Sequence, residues 1–414
     1  MSFISLLLYI IVIYLRPQEW VSAVYGWPLI YILTLTTAAF VLFESLGGRK
    51  VHLKEPPNLL MLGFFGCILM SHISHGYLQG TIDSFMLFAP NVIMFFLFVN
   101  ILVTEKRIKI TIWLIIILTF ILALEGTQQH HRGVGWAGQT PLLNSENGVT
   151  RIRWIGIFDD PNDLALVFVV GAGFLLSFIS RSTRLLIKIL SWGMLIFIGH
   201  ALFNTNSRGG FLAMSAILIF LALGKIRNKV LALIIGGTLV FTVLLIAPSR
   251  MSEINYSEAS AYGRIEAWYQ GFQMLKRAPI FGVGDRMFAE YHSRVAHNSY
   301  ISVAAELGMV GIFIWISLIY ACLKGLFLAS KKQLTSKPYT LGLKAGLIGF
   351  LSTSFFLSRS NIAILYLLLA LAASFMYTNL RSYEYAFTKK DAKVTAWLTV
   401  GILVFIWFSM RFSI

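Results

Sequence analysis

Cysteine is nearly absent: Cys67 and Cys322 are the only two in 414 residues. Two thiols in separate apolar segments make neither a disulfide framework nor a structural zinc site, which takes four ligands at paired spacings. Charge is sparse at 13% of the chain, and negative charge sparser, with 18 Asp and Glu against 34 Lys and Arg. Disorder, collagen, coiled coil and a small disulfide scaffold are excluded, since each needs low hydrophobicity, a short repeat or dense cysteine. Internal repeats and low-complexity tracts are missing too. Apolar sequence fills the chain instead, with 57% hydrophobic residues and a mean hydropathy of +0.76. That is the composition of a membrane protein. A net charge of +16 would suggest nucleic acid in a soluble protein, but in a polytopic one it speaks first to topology, and no nucleic-acid partner is expected.

Apolar runs near the ~20 residues that cross a hydrocarbon core lie at 28–44, 57–75, 84–103, 108–125, 162–180, 185–203, 209–223, 229–248, 299–328, 339–357, 361–380 and 394–411. A further run at 3–15 is short and leads into Arg16-Pro17-Gln18-Glu19-Trp20. It has no basic n-region and no small-residue cleavage site, so a retained helix or half-helix is expected rather than a signal peptide. The expected fold is all-α and polytopic, with 12–13 transmembrane helices in one transmembrane domain spanning residues 1–414.

Basic residues alternate in number between successive connections, which sets the orientation by the positive-inside rule. The richer set holds 20 and is cytoplasmic; the opposite set holds 13. They differ in kind as well, since the cytoplasmic set has 6 Arg to 14 Lys and the outer set 12 Arg to 1 Lys. Guanidinium grips phosphate or carboxylate through two parallel hydrogen bonds, whereas ammonium is a mobile point charge. An Arg-dominated outer face therefore points to a polyanionic ligand, the alternative being pairing with carboxylates such as Asp159, Asp160 and Glu266.

Two outer connections are long, 126–161 and 249–298. In the second, Ile265, Trp268, Phe272 and Leu275 recur at helical spacing, with Glu266, Gln270, Gln273, Lys276 and Arg277 opposite and Pro279 as the stop. An amphipathic helix over about 262–277 is expected, lying in the membrane interface or packed on the protein. His297 then falls at the start of the next spanning helix, where the dipole favours the neutral ring, able to accept a proton; a cap or surface role is the alternative. Glu306 lies nine residues further on, about 13 Å deeper and about 180° around the helix. A helix–helix hydrogen bond is expected of it in preference to a functional role.

Asn204 to Gly210 (NTNSRGG) is a short turn with Arg208 opening a helix. Free backbone N–H groups, a helix N-terminus and glycines make it a seat for phosphate, against the reading of Arg208 as a snorkelling interfacial residue. Arg151, Arg153 and Phe158-Asp159-Asp160-Pro161-Asn162 close the first long loop. An Asp-Asp pair before Pro invites a metal but is also an ordinary helix start, and the latter is preferred. His130-His131 and His72/His75 have no carboxylate or Cys close in sequence and make weak ligand sets.

NTNSRGGFL at 204–212, YGRIEAW at 262–268, PIFGVG at 279–284 and HNSYISVAAELG at 297–308 occur in order. With them the chain resembles the O-antigen ligase family, in the superfamily that also holds O-antigen polymerases and bacterial protein O-oligosaccharyltransferases. LRPQEW at 15–20 is similar to the branch of O-glycosylation ligases. The resemblance covers most of the chain. It implies a fold similar to the lipid-dependent (GT-C-like) glycosyltransferases, in the inner membrane of a Gram-negative bacterium with the active site facing the periplasm. The implied reaction moves a glycan from undecaprenyl diphosphate to a sugar of the lipid A core oligosaccharide, without metal or other cofactor. Carried over by motif, Arg208 and Arg264 would hold the diphosphate and His297 would activate the acceptor hydroxyl. Arg153 is a looser third diphosphate residue, and Asn162, Asn298 and Tyr300 are candidates for substrate contact.

The chemistry suits these residue types. A departing diphosphate must have its charge stabilised by a divalent ion or preorganised guanidinium groups, and a sugar hydroxyl gains ~10²- to 10⁴-fold from a positioned base. An in-line displacement would invert the anomeric carbon. The rivals are a polymerase or protein glycosyltransferase of the same superfamily, which differ in acceptor, and a secondary transporter. Transporters carry inverted repeats and broken helices at mid-membrane; the sequence gives sign of neither.

Overall fold

A computed structural model describes residues 1–48, 51–143, 148–226, 231, 237, 238, 259–332 and 337–411. The expected span at 229–248 and the start of the second long connection, 249–258, lie outside the described residues. The helices in chain order are α1 (Ser2–Leu15), α2 (Leu29–Leu46), α3 (Pro56–Ile73), α4 (Leu78–Ile101), α5 (Glu105–Arg132), α6 (Pro161–Arg181), α7 (Leu185–Asn204) and α8 (Arg208–Lys225). After the gap come α9 (Ala259–Arg277), α10 (Phe288–Tyr291), α11 (Ser299–Lys332), α12 (Lys337–Thr353), α13 (Ala363–Asn379) and α14 (Lys389–Arg411). Strands β1 (Leu142–Leu143) and β2 (Thr150–Arg151) pair antiparallel. Nine helices among the described residues are long and apolar enough to cross a membrane; α1 and α13 are shorter apolar helices. The protein is an all-α polytopic membrane protein.

Helix limits follow local chemistry. Thr104 caps α5 by accepting the Arg107 N–H, and Gly133 ends that helix in the left-handed region. Asp160 caps α6 through the Asn162 N–H with Pro161 in its first turn, the ordinary helix-start role for the Asp-Asp-Pro run. Ser207 caps α8 through the Gly210 N–H.

The chain divides into two compact units. The first comprises Met1–Lys50, Asn100–Glu253 and Ala329–Thr353. Its centre is α6, buried along nearly its whole length and packed by α5, α7, α8 and α12. A helix apolar on all sides belongs inside a bundle, and α6 is one. The second unit comprises Val51–Val99, Ile254–Leu328 and Ser354–Ile414; α13, equally apolar, is buried in it from Ile364 to Met376.

One expectation is overturned here. α11 is a broken helix: Gly308 sits at φ 68°, ψ −170° inside it. The 279–284 segment supplies partners for the backbone groups freed at the break. Val283 and Gly284 donate to the Ala305 and Glu306 carbonyls at 3.0 and 3.1 Å, and Met309 donates to the Pro279 carbonyl at 2.8 Å. The approach is so close that a Cβ on Gly282 would meet the Glu306 carbonyl carbon at 2.2 Å, and one on Gly308 the Ile280 oxygen at 2.3 Å. Apolar periodicity runs on through a single glycine, which hides the break in the sequence. The protein's own backbone thus takes up the Ala305 and Glu306 carbonyls and the Met309 N–H at the break. Glu306 belongs to this lacing: its Oε1 accepts the Phe288 backbone N–H at 3.2 Å, so its partner is α10 and not a second spanning helix.

Candidate functional site

In the first unit the turn before Arg208 is tied to the end of the 126–161 connection. Ile152 N–H donates to the Asn204 carbonyl at 3.1 Å and Asn206 Nδ2 to the Thr150 carbonyl at 3.2 Å. The Arg151 guanidinium donates to the Thr205 carbonyl (Nε, 2.9 Å) and to Asn162 Oδ1 (3.0 Å). Asn162 Oδ1 also accepts the Ser207 hydroxyl at 2.8 Å. Asn162, proposed from the sequence as a substrate contact, thus has its side-chain oxygen engaged in fixing the turn from which half-buried Arg208 opens α8.

Arg153 is clasped on its backbone by Gln129, whose amide donates to the Arg153 carbonyl at 3.0 Å and accepts its N–H at 2.9 Å. Its guanidinium reaches the Thr140 carbonyl at 2.9 Å and pairs with Asp159 at 3.0 Å. Asp159 is 59% exposed, and an exposed pair of this kind is worth little in stability. Beneath lies Glu125, fully buried, accepting from Gln139 Nε2 at 2.6 Å.

In the second unit α9 turns a different face inward than the sequence suggests. Its fully buried positions are Gly263, Ala267, Gly271 and Met274, with Ile265, Trp268, Phe272 and Leu275 half-buried beside them. Small residues let α9 approach α10 and α11 closely: Ile301 and Phe288 stand where a Gly271 side chain would go. Trp268 Nε1 donates to the Ala296 carbonyl at 2.9 Å. That bond fixes the residue before His297 to the helix that bears Arg264, one turn away from Trp268 on the same face. The Arg294 guanidinium lies over Gly263.

His297 is half-buried and holds φ 48°, the left-handed region, which costs a non-glycine residue of order 1–3 kcal/mol and persists only where its surroundings over-determine it. The surroundings do so. Asn298 is the cap of α11, with Oδ1 accepting from Tyr300 and Ile301 N–H at 3.0 and 3.2 Å. Its own N–H donates to Ser358 Oγ at 3.3 Å, and Ser299 N–H donates to the Ser354 carbonyl at 2.8 Å. Ser299 Oγ donates to the Leu357 carbonyl at 2.6 Å while accepting the Arg359 N–H at 2.8 Å. Asn298 Nδ2 is buried without an acceptor among the described residues. Tyr300 is packed edge-on to Trp315, 5.5 Å between ring centroids. Arg264, Arg294, Arg359 and His297 thus gather around the N-terminus of α11. Arg294 and Arg359 were legible only as members of the Arg-rich set; their neighbourhood depends on residues far apart in sequence.

Among the described residues no group of three or more His, Cys, Asp or Glu is arranged to hold a metal ion. His130, His131 and His200 lie with ring centroids 5.4 to 6.4 Å apart. His72 and His75 face different partners, the Asp285 and Ser71 carbonyls.

The helices long and apolar enough to cross a membrane define a polytopic membrane protein, with Arg208 at one helix start and His297 just before another. Residues 193–316 match the model of the O-antigen ligase family. The match takes in Arg208, Arg264, His297, Asn298 and Tyr300, and leaves out Arg153 and Asn162. No curated protein matches the chain.

Proposed function

We propose that the protein is an O-antigen ligase: a glycosyltransferase of the bacterial inner membrane that moves a finished glycan from undecaprenyl diphosphate to a sugar hydroxyl of the lipid A core, on the periplasmic side. The observation that carries the reading is the family match over 193–316, which includes the Arg208 turn, the Arg264 helix and the His297 segment. The roles are assigned residue by residue. Arg208, at the start of α8, and Arg264 hold the diphosphate and take up its charge as the glycosidic bond breaks. Arg153 adds a third guanidinium. His297, lifted out of helical conformation before the Asn298 cap, accepts the acceptor hydroxyl's proton while its oxygen attacks the anomeric carbon from the opposite side, inverting it. Asn298 Nδ2 is a donor for substrate, Tyr300 a further substrate contact, and Asn162 a support of the Arg208 turn. The fold is proposed to be similar to the lipid-dependent glycosyltransferases.

The test is reconstitution of the full chain with lipid-linked glycan and three acceptors: core lipid, glycan end and protein. Transfer to core lipid, undiminished in excess chelator and with inverted linkage, is expected. Transfer to a growing glycan or to protein would move the assignment to a polymerase or protein glycosyltransferase, and a requirement for Mg²⁺ would return Asp159 and Asp160 to the chemistry.

A further inference from the structure

The second unit holds a cavity apart from the His297 segment, between the turn joining α3 to α4 and the 282–287 segment, with Met86, Leu87 and Met287 beside its polar groups. Its volume is about 550 Å³, in the range of small-ligand sites. We propose that this cavity is a subsite for a pyranose unit of one of the two glycan substrates. The proposal rests on the ligase reading for the source of the sugar, and on the cavity alone for its chemistry.

The floor is polar and buried. His72, 3% exposed, has Nε2 3.1 Å from the Asp285 carbonyl oxygen. A carbonyl only accepts, so Nε2 carries a proton. The Asp285 carboxylate accepts from Ser84 Oγ at 3.0 Å and Asn361 Nδ2 at 3.3 Å, and its two oxygens retain acceptor capacity beyond these two bonds. Asp285 N–H is in turn fixed by Ser71 Oγ at 3.0 Å, so the carboxylate is held from α3, α4 and the segment before α13. At the rim stand Asp83 and Arg286, both exposed. Tyr77 is 46% exposed, its ring set edge-on to His72 at 5.6 Å.

The composition selects among ligands. An anion would meet Asp83 and Asp285 beside the single Arg286. An apolar ligand would desolvate the Asp83 and Arg286 side chains at the rim without offering them a partner, which costs roughly 1–3 kcal/mol each or more. No metal-holding group of three ligands exists among the described residues. A neutral polyhydroxyl ring suits this lining: its hydroxyls donate to the Asp83 and Asp285 oxygens and accept from Arg286, while its C–H face lies on Tyr77. Gly80 keeps the wall bare for this, since a Cβ there would meet the Tyr77 ring at 2.5 Å and His72 Nδ1 at 2.6 Å.

The full chain, purified in detergent, is tested with Tyr77→Ala, Tyr77→Trp and Asp83→Asn, all at exposed rim positions. Lipid-free core oligosaccharide and the released donor glycan serve as separate probes in saturation-transfer NMR, alongside transfer kinetics. Tyr77→Ala and Asp83→Asn are expected to raise KM for one glycan about tenfold with kcat changed less, the mark of lost ground-state binding; the same probe loses its saturation-transfer signal, and Tyr77→Trp restores both. The glycan affected identifies which substrate the subsite serves. Unchanged KM and unchanged signal for both glycans, in a wild-type protein that transfers, overturns the subsite and leaves the ligase reading standing. A wild-type protein that binds saccharide in a Tyr77-dependent way but transfers nothing supports the subsite and sinks the ligase reading.

Discussion

The two units start their key helices in opposite ways. In the first, Asn206 takes the left-handed conformation (φ 49°), two residues before Arg208, and the arginine itself sits on the helix. In the second, His297 takes that conformation (φ 48°), two residues before Ser299, and its own side chain is kept off the helix. The supports differ as well: side chains from 151 and 162 hold the first turn, whereas a cap and a ladder to 354–359 hold the second. The difference matches the work proposed for each. A guanidinium that binds an anion gains from standing with the free N–H groups and dipole of a helix start. An imidazole that takes a proton gains from standing off the helix, where one ring nitrogen can face a hydroxyl.

The largest effect that bears on this contrast is at the strained histidine. His297→Ala is expected to lower transfer by ~10²- to 10⁴-fold, read as loss of lipopolysaccharide ladders in a strain lacking its own ligase. His297→Gly should be equally inactive yet melt higher than His297→Ala, because glycine holds φ 48° without strain. Wild-type ladders from either variant would break the scheme. Arg208→Lys keeps the charge but loses the planar fork, and transfer should fall by about 10²-fold, as for removal of one preorganised donor. Activity near wild type would mean that the turn needs only a point charge.

The supports can be compared by stability. Asn162→Ala removes one acceptor of the Arg151 guanidinium, which keeps the Thr205 carbonyl, together with the acceptor of the Ser207 hydroxyl, and should cost about 1–3 kcal/mol in denaturant unfolding while slowing transfer through a displaced Arg208. Asn298→Ala, which removes a cap, should cost about 0.5–2 kcal/mol. If the order were reversed, the first turn would not depend on its side-chain knot. The smallest effect belongs to Arg153. With its guanidinium engaged by Thr140 and Asp159, Arg153→Ala should change stability by less than about 1 kcal/mol and transfer far less than Arg208→Lys does.

Much of the helical frame was legible, because a spanning helix announces itself in ~20 apolar residues whatever its neighbours. Arg208 and His297 were visible as residues at helix starts. Less visible was what surrounds them. The inward face of α9 was misjudged because its large apolar residues signal burial more loudly than Gly263, Ala267 and Gly271, yet small residues are what allow helices close approach. The break at Gly308 was masked by unbroken hydropathy on either side. Asn162 read as a substrate contact because nothing local shows that Ser207, 45 residues on, claims its oxygen.

By itself the chain determined that it is built of helices apolar enough to cross a membrane, and which residue types could grip phosphate or take a proton, since each rests on local composition, periodicity and capping. Tertiary structure alone decided that Arg151 reaches Thr205, that Ser299 is laced to Leu357 and Arg359, and that His72 meets Asp285 across 213 residues of sequence. Those pairings depend on which buried donors and acceptors the packed helices bring within 3 Å or so of each other, and no short window of residues contains that information.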